Sequence, residues 1–438
     1  MSHSQLMINK LKFLANRNLS IFLFAVFILI NIYYFSHNFL NTFLNPGDNG
    51  DEHYHYRLYS ILNFKLGDFF YVSSQPFIFL SSLVDSLLKS PRHSTRLISL
   101  IGSLILIFYF LRRIISNNSS RLENLYKSSL FICAIFITNQ IFMGTPDFLS
   151  VVFVIPPFLL ILENVKSKQI QISLKQSILA GLFFGLAVAT RPTSIVLIFA
   201  FYLTLFLVSG IKPVISKWNL ISLSTGAILL ILLNFLPLIE QQKLILDVKE
   251  VPKETGVTWF QRNYLMAKYW DSNVRPTTQW VSTQEVIDFK KENPQFIFPK
   301  NQIDLLFMEP GLYTRQMIRM FLKALYSNYR FIYLLLPLLF LSFFIRKKQN
   351  ILGRINRSYN KLFENKFIIV FHLISIILFS FLAVKLFEFR WVISTMILYS
   401  FFSLTYLSHF PQKIRFLVYN ISFLSGIGMY ILFYIRYF

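Results

Sequence analysis

A single cysteine, Cys133, serves the whole chain, and acids are scarce, with 20 Asp and Glu against 43 Lys and Arg in 438 residues. The lone thiol lies in an apolar run, so no intramolecular disulfide can form and the redox compartment stays open. Charged residues of both signs make up only 14% of the chain, which excludes the balance of an ordinary water-soluble protein. No repeat of fixed period and no low-complexity tract is present, which excludes solenoid and tail-like designs.

What the chain has instead is apolar surface: 55% hydrophobic residues, 50 Phe and a mean hydropathy of +0.53. A water-soluble fold cannot hide that much. Apolar runs of about 17 to 22 residues recur along the length, each roughly what a helix needs to cross a ~30 Å hydrocarbon core. They place spans near residues 20–39, 95–111, 128–144, 147–163, 176–190, 193–209, 219–238, 330–345, 367–384, 391–408 and 416–434. The expected fold is an all-α polytopic membrane protein with about eleven transmembrane helices. Lys10, Lys12 and Arg17 precede the first run, but that run is too long for a signal-peptide core and ends in Asn31, Tyr33, Tyr34 and Ser36 without a small-residue cleavage site. It reads as a retained first helix.

The net charge of +23 has to be sorted by membrane side before it implies a partner. Alternating the spans from a cytoplasmic N-terminus puts roughly half of the 43 basic residues inside, among them Arg112, Arg113, Lys166, Lys168, Arg346, Lys347 and Lys348. Only Glu123, Glu163 and Glu364 offset them there, so the positive-inside rule selects this orientation. The cationic excess is then a topology signal. No basic cluster is interleaved with stacking aromatics on a soluble face, which argues against nucleic-acid binding.

Two polar stretches exceed the length of a simple connection, residues 40–94 and 239–329, and both fall outside. The chain divides accordingly into an N-terminal transmembrane module (1–238, with the first loop at 40–94), an extracytoplasmic loop or cap (239–329) and C-terminal transmembrane helices (330–438). Trp259, Trp270, Trp280, Phe296, Phe298 and proline breaks in the second stretch predict a small folded cap with short helices.

Four features on that outer face carry possible chemistry. In Asn45-Pro46-Gly47-Asp48-Asn49-Gly50-Asp51-Glu52-His53-Tyr54-His55 turn formers give way to a helix start, placing Asp51 and Glu52 at a helix N-terminus near the membrane surface. A carboxylate there suits a general base that deprotonates an attacking hydroxyl; a plain N-cap aspartate is the alternative. His53 and His55 raise a metal site, but their spacing matches no strong metal motif and residues two apart on a helix face different ways. Asp147, after Gly144-Thr145-Pro146, lies at an outer membrane boundary, either as a functional acid at membrane depth or as a helix cap. Arg191 in Ala189-Thr190-Arg191-Pro192-Thr193 sits in a tight outer connection and suits phosphate, with interfacial snorkelling as the alternative. Lys385 and Arg390 in Lys385-Leu386-Phe387-Glu388-Phe389-Arg390-Trp391 could bracket a phosphate or pyrophosphate while Glu388 orients one of them; an aromatic and basic interfacial anchor is the other reading. All four lie on one face in a topology fixed by counting charge.

Taken in order, these features resemble the GT-C superfamily, multi-spanning glycosyltransferases that use polyprenyl-phosphate or dolichyl-phosphate sugars. Gly50-Asp51-Glu52-His53-Tyr54 is similar to the Pro-Asp-Glu-aromatic segment of its mannosyltransferases, and Glu388-Phe389-Arg390-Trp391 to their late His-Lys-Glu-x-Arg-Phe turn. Leu386-Phe387 stands where that turn has His-Lys, and the tryptophan-rich segment that often follows the acidic pair is absent. The resemblance implies that Asp51 is the catalytic base with Glu52 supporting it. It also implies that Arg191 and Arg390 lie near donor phosphate, and that transfer inverts the sugar without a required metal or other cofactor. The partners implied are the bilayer, a polyprenyl-phosphate sugar donor and a glycan, lipid or protein acceptor.

Two other classes fit the composition: a polysaccharide polymerase or O-antigen-ligase type of enzyme, and a lipid or sugar transporter. The first has no special need of acids after the first span. The second is expected to show inverted repeats and charged midplane helices, whereas acids are nearly absent from the predicted span centres. Scarce cysteine and the lack of an Asn-x-Ser/Thr sequon in the outer loops fit a bacterial cytoplasmic membrane with the site facing outward, and are compatible with the endoplasmic reticulum.

Overall fold

A computed structural model describes residues 15–45, 74–115, 119–136, 140–167, 172–242, 256–274, 281–332, 358–381, 389–408 and 410–437. Among the described residues every regular element is helical and no strand occurs. In a hydrocarbon solvent each backbone N–H and C=O must find a partner within the segment, and the helix does this residue by residue. Four helices are long and apolar enough to cross a membrane, at Arg17–Phe43, Pro91–Ile114, Asp147–Val165 and Gln412–Ile431. The chain is an integral membrane protein.

We label the helices α1 (Arg17–Asn38), α2 (Gln75–Leu88), α3 (Pro91–Ile114), α4 (Arg121–Phe136), α5 (Asp147–Ser167), α6 (Leu174–Thr190), α7 (Ser194–Ser209) and α8 (Lys217–Leu233). Then come α9 (Phe235–Gln241), α10 (Trp259–Asp271), α11 (Thr283–Glu292), α12 (Gln302–Met308), α13 (Pro310–Ile332), α14 (Ser358–Ser380), α15 (Ile393–Leu407) and α16 (Gln412–Tyr437). Shorter apolar helices, α6, α7 and α8 among them, pack beside the four long ones.

Large side chains point out as well as in. Phe22, Leu29 and Phe108 are each more than 60% exposed, as befits a surface that lipid covers. Because lipid tails are as apolar as leucine, helices gain little by hiding such groups from it, and close backbone approach takes over as the adhesive. Gly181 of α6 shows how close: a Cβ there would collide with the Ser222 carbonyl of α8 and meet Thr225 Cβ at 2.6 Å. The Ser222 hydroxyl donates to Ser177 O at 2.9 Å across the same seam. At the centre of the bundle, Phe158 of α5 stacks on Phe201 of α7 at 4.2 Å, and Phe371 of α14 closes edge-on against both.

Two of the expected boundaries move. The stretch 40–94, expected as a loop, is helical over much of its described part: α1 runs on as a π-helical turn to Phe43, α2 occupies Gln75–Leu88, and α3 begins at Pro91. At 14 residues α2 is too short to be flagged as a span, yet Phe77 and Ile78 are fully buried and Gln75 donates to Leu233 O at 2.9 Å, satisfying a carbonyl at the end of α8. The expected span 128–144 stops as a helix at Phe136 and ends in a 3₁₀ turn, Gln140–Phe142, and an elbow at 143–146. Most of the expected span 330–345 lies outside the described residues.

Within 239–329 the described residues fold as three short helices, α10 to α12, and most of the 23-residue α13, longer than the short helices expected there. α10, α11 and α12 gather round a separate apolar core of Tyr264, Leu265, Val281, Val286, Phe298 and Leu305. Thr258 and Ser282 start α10 and α11 with reciprocal capping boxes. Asp271 at the end of α10 accepts from Arg315 Nη2 of α13 at 2.8 Å and lies 3.1 Å from Arg319 Nη1, tying this core to the next helix. The Arg315 hydrogen bond in particular holds the Asp271 carboxyl below the usual carboxylate range. Tyr264, buried and bonded to Glu309, has its hydroxyl pushed the other way, chiefly by loss of water.

Candidate functional site

Helix direction assigns residues to the two ends of the bundle. The starts of α3 and α5 and the end of α6 lie together at one end; the end of α3, the end of α5 and the start of α6 lie at the other. Sixteen residues of α5 separate Asp147 from Glu163, about 24 Å at 1.5 Å per residue.

The Asp147 end is shaped by two prolines. Pro192 disfavours helical backbone at the residue before it, so α6 stops at Thr190 and Arg191 becomes extended, with φ −144° and ψ 107°. Pro146 lies one residue ahead of α5, whose first residue is Asp147, and the Pro146 carbonyl accepts the first backbone bond from Ser150 N at 3.0 Å. The Asp147 carboxylate therefore lies in the first turn of the helix, where the dipole favours a negative charge. It does more than end a helix: Arg191 Nε approaches Oδ1 at 3.1 Å and Arg390 Nη1 lies 3.9 Å from Oδ2. All three are withdrawn from solvent, with Asp147 and Arg390 at 2% and 5% side-chain exposure and Arg191 at 14%. Arg390 is held in a 3₁₀ turn, Phe389–Val392, just ahead of α15.

The elbow before Asp147 is pinned. Ser99 of α3 donates to Thr145 O at 2.6 Å and accepts from Thr145 N at 3.1 Å. Gly144 presses so closely on Thr95 that any Cβ would strike the Thr95 hydroxyl. On the other flank the Ser150 and Ser194 hydroxyls of α5 and α7 share a 2.6 Å hydrogen bond. Asp147 is thus placed by α3 and α7 as well as by its own helix.

One residue nearby was not singled out from the sequence. Arg96 of α3 is fully buried and donates through Nη1 to Phe43 O at 2.9 Å and Asn45 O at 2.5 Å. It donates to two carbonyls just past the end of α1 and so ties that end to α3. An arginine in the first turns of a helix sits against the dipole, and that mismatch was the available signal.

Of the residues expected to act, the structure brings Asp147, Arg191 and Arg390 together. Asp51, Glu52, His53 and His55 lie outside the described residues, as do Lys385 and Glu388. Among the described residues, the carboxylate that lies between the two arginines is that of Asp147. One carboxylate lies between two guanidiniums beside buried helix termini. Planar forks of this kind bind a phosphate through paired N–H donors, and Asp147 keeps them from splaying apart. Compared with protein-family models, curated proteins and solved structures, the chain matches none.

Proposed function

We propose that this protein is an integral membrane glycosyltransferase of GT-C type that moves a sugar from a polyprenyl-phosphate donor to an acceptor on the outer face. The observation that supports this most is the convergence of Asp147, Arg191 and Arg390. The three come from separate outer connections singled out for charge and depth, and they meet at one end of the bundle. That end is also where residue 45, six positions before Asp51, is tethered by Arg96.

In this reading about eleven spans run from a cytoplasmic N-terminus and the Asp147 end faces outward. Arg191 and Arg390 take the donor phosphate, with Lys385 and Glu388 beside them. Asp51 removes the proton from the acceptor hydroxyl as the glycosidic bond forms and the lipid phosphate departs, and Glu52 and His53 support it. The carrier's apolar tail stays in the bilayer, no metal takes part, and the membrane is the bacterial cytoplasmic membrane.

The test is transfer of radiolabelled sugar from native lipid extract to endogenous acceptor in membranes with matched expression. Asp51→Asn should lower transfer by about 10²- to 10⁴-fold, the usual share of a general base, without changing protein level. Full activity in that variant would move the assignment to a polymerase or ligase chemistry that needs no acid there.

A further inference from the structure

The opposite end of the bundle holds a cleft that the transfer reading does not use. It lies between α3, α5 and α6, has a volume of about 300 Å³, and is lined by apolar groups that include Pro157, Leu160 and Phe183. That volume is at the lower edge of small-molecule pockets. Its mouth is charged: Arg113 of α3 and Glu163 of α5 face each other at 3.9 Å, with side chains 41% and 59% exposed. From Glu163 down to Pro156 is seven residues of helix, roughly 10 Å, so the cleft leads from the charged rim into the hydrocarbon layer.

We propose that this cleft binds one phospholipid whose headgroup carries both a phosphate and a primary ammonium, a phosphatidylethanolamine. The inference does not depend on the transfer reading. A 3.9 Å separation exceeds the 2.7 to 2.9 Å typical of a direct charge-assisted hydrogen bond, so each member of the pair has reach for a further partner. The Arg113 guanidinium lies over the Tyr109 ring, 4.5 Å from its centroid, which anchors it beside the mouth. A phosphate fits the fork, and an ammonium one headgroup length away fits Glu163. The headgroup then presents to the rim the same two charges in the opposite order. A purely anionic lipid meets repulsion from Glu163, and a quaternary ammonium offers that carboxylate no N–H. One acyl chain follows Leu160 and Phe183 inward, past Pro156 and Pro157, which carry no backbone N–H needing a partner there.

The experiment is native mass spectrometry of the full chain released from mixed micelles containing equal amounts of phosphatidylethanolamine, phosphatidylcholine and phosphatidylglycerol. One ethanolamine lipid should stay bound in preference to the other two. Arg113→Gln should lower its retention about tenfold, the loss of one charge-assisted hydrogen bond. Glu163→Gln should abolish the preference over phosphatidylglycerol while leaving lipid bound. Leu179→Trp, at a lining position that is 51% exposed, should block the cleft with both charges intact, which separates cleft occupancy from rim charge. Water-soluble glycerophosphoethanolamine should not compete at equal concentration, and competition by it would overturn the lipid assignment in favour of a free phosphodiester. Equal retention of all three lipids by the wild type, or unchanged retention in Arg113→Gln, would overturn the site itself. Arg113 and Glu163 are both well exposed, so the variants should fold, which matched elution profiles would verify.

Discussion

Two buried clusters at opposite ends of the bundle have the same formal composition, one acid and two cations, and very different chemistry. At one end Glu123 of α4 accepts from Arg415 Nε of α16 at 2.9 Å and from Ser120 N at 3.2 Å, so both carboxylate oxygens are engaged. Arg415 also reaches Ser408 O, and Lys127 donates to the Ser119 and Ser408 hydroxyls at 2.9 and 3.0 Å. At the other end Asp147 has one close approach, from Arg191 at 3.1 Å, and its buried Oδ2 takes no hydrogen bond among the described residues, with Arg390 3.9 Å away. The first cluster is closed on its carboxylate, and its geometry clamps α4 to α16 and the turn before it. The second is looser on its carboxylate, with one oxygen engaged closely and the other not. Equal charge counts therefore accompany unequal bonding, and satisfaction of the carboxylate tells the clamp from the cluster proposed to take a donor phosphate.

Breaking the clamp should give the largest effect on stability. Arg415→Ala removes the cation that hydrogen-bonds Glu123, at 1% side-chain exposure, leaving Lys127 as the remaining cation of the cluster, and should cost about 3–5 kcal/mol. Thermal unfolding in detergent measures this. The double change Glu123→Gln with Arg415→Met should recover most of the loss, since it removes both charges together. A single variant within about 0.5 kcal/mol of wild type would mean that the cluster is not a clamp.

At the other end the corresponding change should act on function. Arg390→Gln should reduce sugar transfer by roughly 10²- to 10³-fold, the range for removing one preorganised donor at developing charge, and should cost less stability than Arg415→Ala because Arg191 still faces Asp147. Arg390→Lys keeps the charge but loses the fork, and should restore only part of the activity. If instead Arg390→Gln unfolds the protein as readily as Arg415→Ala, the contrast between the ends collapses.

How much of this was legible in the sequence depends on which distances are local. The apolar runs located the long helices because a bilayer imposes length directly on composition, and the tight turns at Pro146 and Pro192 marked Asp147 and Arg191 individually. That these two meet Arg390, about 200 residues further on in the case of Arg191, is a property of how α5, α6 and α15 pack, which no local pattern encodes. Lys385, Glu388 and Arg390 share one segment, so sequence reasoning paired them with one another and singled out Asp147 separately, without joining it to Arg390. Arg96 was passed over because an arginine at a span boundary looks like a snorkelling anchor, and only the placement of Phe43 and Asn45 shows its side chain turned inward to their carbonyls. Helix α2 was hidden by its length, too short for a span and therefore counted as loop.

A smaller perturbation asks whether the loose site nevertheless rests on a rigid frame. Ser99→Ala deletes the hydroxyl that both donates to and accepts from Thr145, leaving the buried Thr145 C=O short of a donor and its N–H with Met143 O, at a cost of about 1–3 kcal/mol. Transfer should fall together with stability, because the elbow sets where Asp147 begins its helix. Unchanged unfolding temperature and unchanged transfer would show that Gly144 packing alone holds the elbow.

The mildest effect belongs to the helical cluster of α10 to α12, where charge pairs are partly solvated and so report titration without threatening the bundle. The Asp271 carboxyl is held below its usual range by the Arg315 hydrogen bond, so its pairing contributes stability that is present above the ordinary carboxylate pKa of about 3.9 and is lost as pH falls through the lower folded value. Trp270 lies beside this pair, with the Arg319 guanidinium 5.3 Å from its ring centroid. Its emission should therefore hold steady down to about pH 4 and shift below it, at pH values where an unpaired carboxylate has already protonated. Asp271→Asn should remove that transition and leave the rest of the acid titration in place. A shift that persists in the variant would assign the change to other carboxylates, and would mean that α13 is tied to α10 by Gln316 and its hydrogen bond to Ala267 O rather than by the Asp271 charges.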